Sequence, residues 1–297
     1  RHGIQIECRD SFFHHFVTPI ILIAPGIPKA LPTPPGVAPA AMRYNAAMNG
    51  TAFDPRHVIG ALLRAYSNLL LPPSCAFCHR DIDLRSNIFL CEKCLARLGP
   101  KQWLGCRRCG APVDENHLAA DDCPKCKHAR FHFDAVVVLG NYHKGLSDAV
   151  LRMKRPSHDP LSLALGRLLC ELRGDRLRQL EADLVMAVPM HWRRRLATGK
   201  NSPELIAQCI AKSIGVPLRS GVLVKHRNTP PQKGLTLARR MENIRGSFRV
   251  RRAALVKDAR VLLVDDVMTT GATGSEAAKT LKRAGAAMVA VAVAARA

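Results

Sequence analysis

Asp265 and Asp266 stand side by side at the end of an apolar run, Val261 to Val264. A hydroxyl- and glycine-rich turn, Thr269-Thr270-Gly271-Ala272-Thr273, follows them, and Ser275 to Ala284 then has helix-forming composition. The pattern predicts a buried strand, two carboxylates at its carboxyl end, a turn of small residues and a helix N-terminus. Each part has a chemical use. The unpaired N–H groups and positive dipole end of a helix suit a phosphate. Two neighbouring acids can hold vicinal sugar hydroxyls, or a magnesium ion carried in with the substrate. In open parallel sheets, ligands gather outside the carboxyl ends of strands. The residue types and their order therefore point to a sugar-phosphate site, against the plainer alternative of a strand–turn–helix with exposed acids.

The stretch VLLVDDVMTTGATG, residues 261–274, resembles the phosphoribosyl pyrophosphate (PRPP) signature of type I phosphoribosyltransferases. That resemblance implies that Asp265 and Asp266 hold the ribose 2′- and 3′-hydroxyls. It implies likewise that Thr269, Thr270, Gly271, Ala272 and Thr273 wrap the 5′-phosphate. A response-regulator receiver also opens on an apolar strand ending in paired Asp. Its acids begin a domain of about a hundred residues, whereas only 31 residues follow Asp266. That rival fails on length.

A second constellation is sulfur. Four C-x-x-C pairs occur within 52 residues: Cys75/Cys78, Cys91/Cys94, Cys106/Cys109 and Cys123/Cys126. Two such pairs can close one tetrahedral Cys₄ zinc site, because each knuckle presents two sulfurs to one ion. Four thiolates leave no open position for a substrate, so two structural Zn²⁺ sites are expected. Disulfides fit badly with a reducing compartment. An iron–sulfur cluster is not separated from zinc by spacing alone, although two pairs of pairs favour two mononuclear ions. Sequential pairing keeps the loops short; an interleaved cross-brace is the alternative. Metal binding would contribute on the order of 10 kcal/mol per site to folding this thin module. His79, His117 and His128 lie nearby and are expected at the surface, and Cys170 and Cys209 read as small core residues in helices.

The chain has 297 residues, 47% apolar and 5% aromatic, with a formal charge of +22. Zinc tetrathiolates, at about −2 each, would leave it strongly basic. The densest segment is 225–260, with eleven Lys and Arg against Glu242 and Asp258. A charge of this size suits a polyanionic ligand or nucleic acid, or else a solvated basic surface. No stretch approaches the eighteen or so apolar residues of a membrane span, and a cytoplasmic location is expected. Residues 1–50 hold seven prolines and little periodicity, which predicts a disordered extension. The sequence does not begin with Met, and Met42 and Met48 are candidate starts.

The elements that must position these groups follow from periodicity. Residues 51–73 predict a lead-in helix, opened by Asp54-Pro55 and stopped by Pro72-Pro73. Residues 74–130 form the double zinc ribbon. Residues 131–297 alternate between strand and helix patterns. Strands are expected at 134–141, 183–189, 261–265 and 287–293, with helices at 146–154, 160–180, 203–214 and 275–284, the last ended by Gly285. Such alternation indicates an α/β domain with a mostly parallel sheet covered on both faces. Residues 225–247 have few apolar positions and read as a long basic loop with the length of an active-site lid.

In this order, Leu-Leu-Pro-Pro, a double zinc ribbon and a phosphoribosyltransferase-like domain resemble the ComF family over residues 60–297. Its members are competence and DNA-uptake proteins, also described as amidophosphoribosyltransferases. Tyr142, Lys154 and Val188-Pro189-Met190-His191 carry the resemblance. So do the loop from Arg227-Asn228-Thr229-Pro230-Pro231-Gln232 through Leu235, Arg240 and Asn243 to Gly246-Ser247-Phe248, and the acid-pair stretch itself. Where the family usually has Arg-Gly-Phe-Asn-Gln, this chain has Thr198-Gly199-Lys200-Asn201-Ser202, keeping Gly199 and Asn201 only.

The resemblance implies PRPP with Mg²⁺ as ligand and displacement of pyrophosphate at ribose C1. Such a step passes through an oxocarbenium-like state and needs positioning and charge neutralisation more than a nucleophile. Lys154, Arg227, Gln232 and Arg240 are candidates for the diphosphate and its loop; a solvated basic rim is the plain alternative. No residue stands out as a general base for an acceptor. Two expectations follow: a phosphoribosyltransferase with an unidentified acceptor, or a PRPP-binding protein that handles single-stranded DNA. A helicase-like uptake partner docked on the ribbons is a third.

Overall fold

The computed structural model of the chain describes residues 73–83, 86–99, 104–113, 123–127, 129–155, 159–192, 201–229 and 237–297. The proline-rich extension, the candidate starts and the lead-in helix other than Pro73 lie outside the described residues. His117, His128, the basic run 193–195 and the loop 230–236 with Gln232 lie outside them too.

In chain order the helices are α1 (Glu92–Leu98), α2 (Pro124–Lys127), α3 (Lys144–Met153), α4 (Asp159–Gln179), α5 (Ser202–Ile214), α6 (Leu237–Ile244) and α7 (Ala272–Arg283). The strands are β1 (Ala135–Asn141), β2 (Leu184–Ala187), β3 (Leu223–Lys225), β4 (Phe248–Val250), β5 (Arg260–Met268) and β6 (Met288–Arg296). Four strands make one parallel sheet in the order β1-β6-β5-β2, and β3 pairs antiparallel with β4. The central pair is in long register, from Arg260↔Met288 to Met268↔Arg296.

Strand side chains alternate between faces, and here both faces are apolar. Val137, Leu139, Leu262, Val264, Ala290 and Ala292 join the core that holds α3, α4 and α5. Val136, Val138, Val261, Leu263, Val289 and Val291 join the opposite core with α7 and the β3–β4 pair. This is the two-sided burial that continuous Val, Leu and Ala runs demand. Cys170 and Cys209 are half-buried between α4 and α5, as small residues there allow. A Cβ on Gly166 of α4 would stand 3.0 Å from the Cys209 side chain, so the two helices cross closely.

Three expectations change. The segment 225–247 is not all loop: β3 reaches Lys225 and α6 occupies 237–244. α6 has Leu237, Met241 and Ile244 at helical spacing, but it is only 8 residues long, and of these Ile244 is buried while Met241 is exposed. β5 runs to Met268 rather than ending at the first acid, because β6 goes on pairing with it through Val267↔Ala295 and Met268↔Arg296. α7 starts at Ala272, three residues early, because Gly271 as its N-cap takes a left-handed φ of 79°.

Candidate functional site

The acid pair owes its position to a missing neighbour. β2 accompanies β5 only to Ala187↔Val264, after which Val188-Pro189 leads the chain away. Beyond Val264, one side of β5 opens onto a cavity of about 520 Å³. The carboxyl ends of β1, β2 and β5 supply Tyr142, Val188 to His191, and Asp265 to Thr269 to its lining. The α5 N-terminus adds Asn201 to Pro203, and Lys225, Asn228, Thr229 and Arg240 close the far side.

Asp265 and Asp266 are the only acids among the described lining residues. Each is oriented by its own chain: the Asp266 N–H donates to Asp265 Oδ1 at 2.9 Å, and the Val267 N–H to Asp266 Oδ1 at 2.7 Å. Lys154 Nζ lies 3.0 Å from Asp266 Oδ2. Burial, and then the adjacent Asp266 charge, hold the Asp265 carboxyl well above the usual carboxylate range, while Lys154 pulls it partly back. Two carboxylates this close cannot both stay charged at no cost. A cation or a set of hydroxyl donors would relieve the pair.

The turn after the acids lines the same cavity from Thr269 through Gly274. Arg240 donates to Thr269 Oγ1 at 3.0 Å, and the Ala272 N–H to Thr270 Oγ1 at 3.3 Å. The first residues of the 12-residue helix α7 therefore face a pocket that also holds Lys154, Lys225 and Arg240. Such a corner suits an anion.

Of the sequence-derived candidates, Asp265, Asp266, Thr269–Thr273, Lys154 and Arg240 come together here. Arg227 does not join them among the described lining residues. Its guanidinium donates to the Asn243 and Arg245 carbonyls at 2.7 and 2.8 Å, clamping the end of α6. Gln232 lies outside the described residues. Asn228 and Thr229, from the loop that carries the family resemblance, line the cavity too, and so does Lys225, which nothing local distinguishes from the surrounding basic segment.

The cysteines form two groups, Cys75/Cys78/Cys91/Cys94 and Cys106/Cys109/Cys123/Cys126, whose sulfurs lie within 4.8 Å of one another. Pairing is sequential, not interleaved. Sulfur separations are 3.6 Å for Cys78–Cys91, 3.6 Å for Cys106–Cys126 and 3.8 Å for Cys109–Cys123. A tetrahedron with metal–sulfur bonds of ~2.3 Å has edges of about 3.8 Å, while a disulfide would need about 2.05 Å. The donor chemistry agrees. Burial raises the Cys75 thiol, yet main-chain N–H donors of Cys91, Cys78 and Phe77 outweigh it and bring it down to about 7. Burial and the neighbouring sulfurs push Cys94 up. Four crowded thiols ionise together only around a cation, and both cages fit Zn²⁺. His79 stays exposed at its turn, outside the first cage.

A sequence profile described as a double zinc ribbon domain matches residues 66–127, and one described as a phosphoribosyl transferase domain matches residues 204–297. The chain is 29% identical over 218 residues to Competence protein F of Haemophilus influenzae, covering 71% of this chain and 91% of that one. It is 30% identical over 226 residues to DNA utilization protein YhgH of Salmonella typhimurium, covering 75% of this chain and 96% of that protein. Among solved structures, the glutamine PRPP amidotransferase from B. subtilis aligns with 45% of this chain and 26% of its own, at 25% identity and a TM-score of 0.30. Among the described residues no helix is long and apolar enough to cross a membrane.

Proposed function

The chain belongs to the ComF family, and from that premise we propose that its cleft binds PRPP and transfers phosphoribose to an acceptor. One observation carries the reading: the acid pair, the hydroxyl turn at a helix N-terminus and three cationic side chains line a single cavity. Asp265 and Asp266 accept from the ribose hydroxyls, which removes the repulsion between them. The turn from Thr269 to Thr273 wraps the 5′-phosphate. Lys154 leaves Asp266 for the diphosphate, joined by Arg240 and Lys225. Magnesium carried by the diphosphate would neutralise the charge that grows on the leaving group. The residues of the cleft hold the ribose and the leaving group in line and keep water away, which suits an oxocarbenium-like step. Two thiolate cages suit a reducing compartment, and the reading includes a cytoplasmic location.

Calorimetry of the zinc-loaded full chain with PRPP and Mg²⁺ tests it. Saturable binding is expected, and Asp265→Asn with Asp266→Asn should weaken it on the order of 100-fold, the scale of two lost charge-assisted hydrogen bonds. Absence of binding to the unaltered chain overturns the reading.

A second reading rests on the formal charge of +22 and on relatives whose names refer to competence and DNA utilization. The basic surface then carries single-stranded DNA along its backbone, with PRPP as a regulator. Such binding should weaken steeply with salt. Failure to bind a single-stranded oligonucleotide at low ionic strength would remove it. A helicase-like partner on the ribbons would show as capture that depends on the cage cysteines.

A further inference from the structure

β6 ends on a buried arginine that touches two regions far apart in sequence. Arg296 is 4% exposed. Its Nε donates to the Cys109 carbonyl of the second knuckle at 3.1 Å, across 187 residues of chain. Its Nη1 donates to the Met268 carbonyl at 3.0 Å and also meets the main-chain oxygens of Thr269 and Ala297. One planar donor group thus holds the second thiolate cage and the two residues that open the anion-binding turn. A lysine could not span both.

The segment leaving the ribbon makes a second contact. Phe131 packs on the second cysteine cluster and stacks on Phe133 with ring centres 4.8 Å apart. Its ring closes on Gly271, where a Cβ would come within 3.0 Å of it. The next residue, His132, donates its N–H to Ser275 Oγ at 3.1 Å, in the first turn of α7. Ribbon and turn therefore share two adjoining contacts.

The arginine also needs a countercharge. A zinc tetrathiolate carries about −2 and supplies that charge, whereas an empty cage of neutral thiols does not. The first cage has no such role: its sulfurs join the core on the α3–α5 side of the sheet.

We propose that Arg296 is a positioning residue that couples the Cys106/Cys109/Cys123/Cys126 cage to the 269–273 turn. The loaded second cage sets the geometry of the phosphate cradle, and the first cage does not. The inference rests on reading that turn as the cradle for the 5′-phosphate of PRPP.

The test uses the full zinc-loaded chain and the variants Arg296→Met, Arg296→Lys, Cys123→Ser and Cys78→Ser. Three quantities are read: zinc content, amide hydrogen exchange over 269–275 without ligand, and PRPP–Mg²⁺ affinity. Arg296→Met should speed exchange over 269–275 by at least tenfold and weaken PRPP tenfold or more. Cys123→Ser should lose one zinc and do the same to the turn. Cys78→Ser should lose one zinc and leave exchange at the turn unchanged. If Arg296→Met fails to fold, Arg296→Lys, which keeps the charge but not the planar fork, should still raise exchange severalfold at the turn alone. Unaltered exchange in a folded Arg296 variant, or equal acceleration from both cage variants, overturns the coupling. If the unaltered chain binds no PRPP, the cradle reading fails while the exchange data still decide the coupling.

Discussion

The two cages use the same four ligands at nearly the same spacing and sit in opposite surroundings. Around the first, Phe77, Leu90, Leu98, Cys75 and Cys94 belong to one continuous core with α3, α4, α5 and one face of the sheet. Arg97 and Arg152 stack on the Phe77 ring at 5.3 and 4.7 Å, and Arg152 also donates to its carbonyl at 3.1 Å. The second cage has a small cluster of its own, Cys106, Cys109, Ala111, Cys123 and Cys126, and meets the sheet edge through hydrogen bonds and the close approach of Gly110 to Val136 and Val138. The Val136 N–H donates to the Arg107 carbonyl at 2.8 Å, and Arg296 reaches Cys109. One zinc knuckle extends a hydrophobic core, while the other caps the open edge of β1. The same metal chemistry therefore does different mechanical work in the two places.

The largest effect that could break this contrast is loss of the first cage. Cys94→Ser should remove one zinc and open the core it belongs to. A loss of several kcal/mol is expected, up to the order of 10 kcal/mol that a zinc site contributes to folding, which lowers Tm by roughly 10 °C or more for a domain of this size. Cys126→Ser should lower Tm by less than half as much. Scanning calorimetry with zinc analysis decides, and equal losses would erase the distinction.

Arg173 probes the β1 edge between the cages. It is 7% exposed, and its Nε and Nη2 donate to the Val138 and Leu139 carbonyls at 3.1 and 3.0 Å. Arg173→Met should leave both carbonyls unsatisfied at a cost of roughly 2–4 kcal/mol, with both zincs retained. Urea unfolding measures the loss, and zinc release would show that the edge and a cage are one unit.

Gly110 is a narrower probe of the second ribbon. Its φ is 67°, and a Cβ would stand 2.6 Å from Val138 Cγ2 and 2.9 Å from Val136 Cγ1. Gly110→Ala should cost roughly 1–3 kcal/mol through strain and overpacking, and should loosen β1 exchange without disturbing α1 exchange. Equal loosening of α1 would mean that the two ribbons respond as one.

Much of this was legible in the residues. Val and Leu runs announce a parallel sheet because both faces must be buried, and paired C-x-x-C spacing announces two cages because each knuckle offers only two sulfurs. Less legible were the features that depend on tertiary neighbours. β5 runs past its acids only because β6, distant in sequence, keeps pairing. α6 carries Leu237, Met241 and Ile244 at helical spacing, but over only 8 residues, too short a run to tell from a loop. Arg227 and Arg240 look alike in one basic segment, yet one clamps carbonyls and the other reaches Thr269. Arg296 follows a run of alanines and valines and carries no local sign that its partners are the second knuckle and the turn.

The smallest expected change comes from a residue that contacts neither cage, and it separates stability from function. Asp265 is held above the usual carboxylate range by burial and by Asp266. A carboxyl raised in the folded state contributes stability that is present below its unfolded value of about 3.9 and is lost as pH rises through the folded value. Asp265→Asn keeps an oxygen to accept the Asp266 N–H and removes the titration. At neutral pH it should therefore raise Tm, by about 2–4 °C if the relief is near 1 kcal/mol. The advantage should shrink as the pH is lowered toward that of the free carboxyl, over a range in which both proteins still hold two zincs. Changes at the cages act through metal occupancy and should lack this signature, since lower pH weakens thiolate binding and enlarges their losses. A lower Tm for Asp265→Asn at neutral pH, or a gain independent of pH, would mean that the acid pair is not a source of strain, and that Lys154 already compensates it in the absence of a ligand.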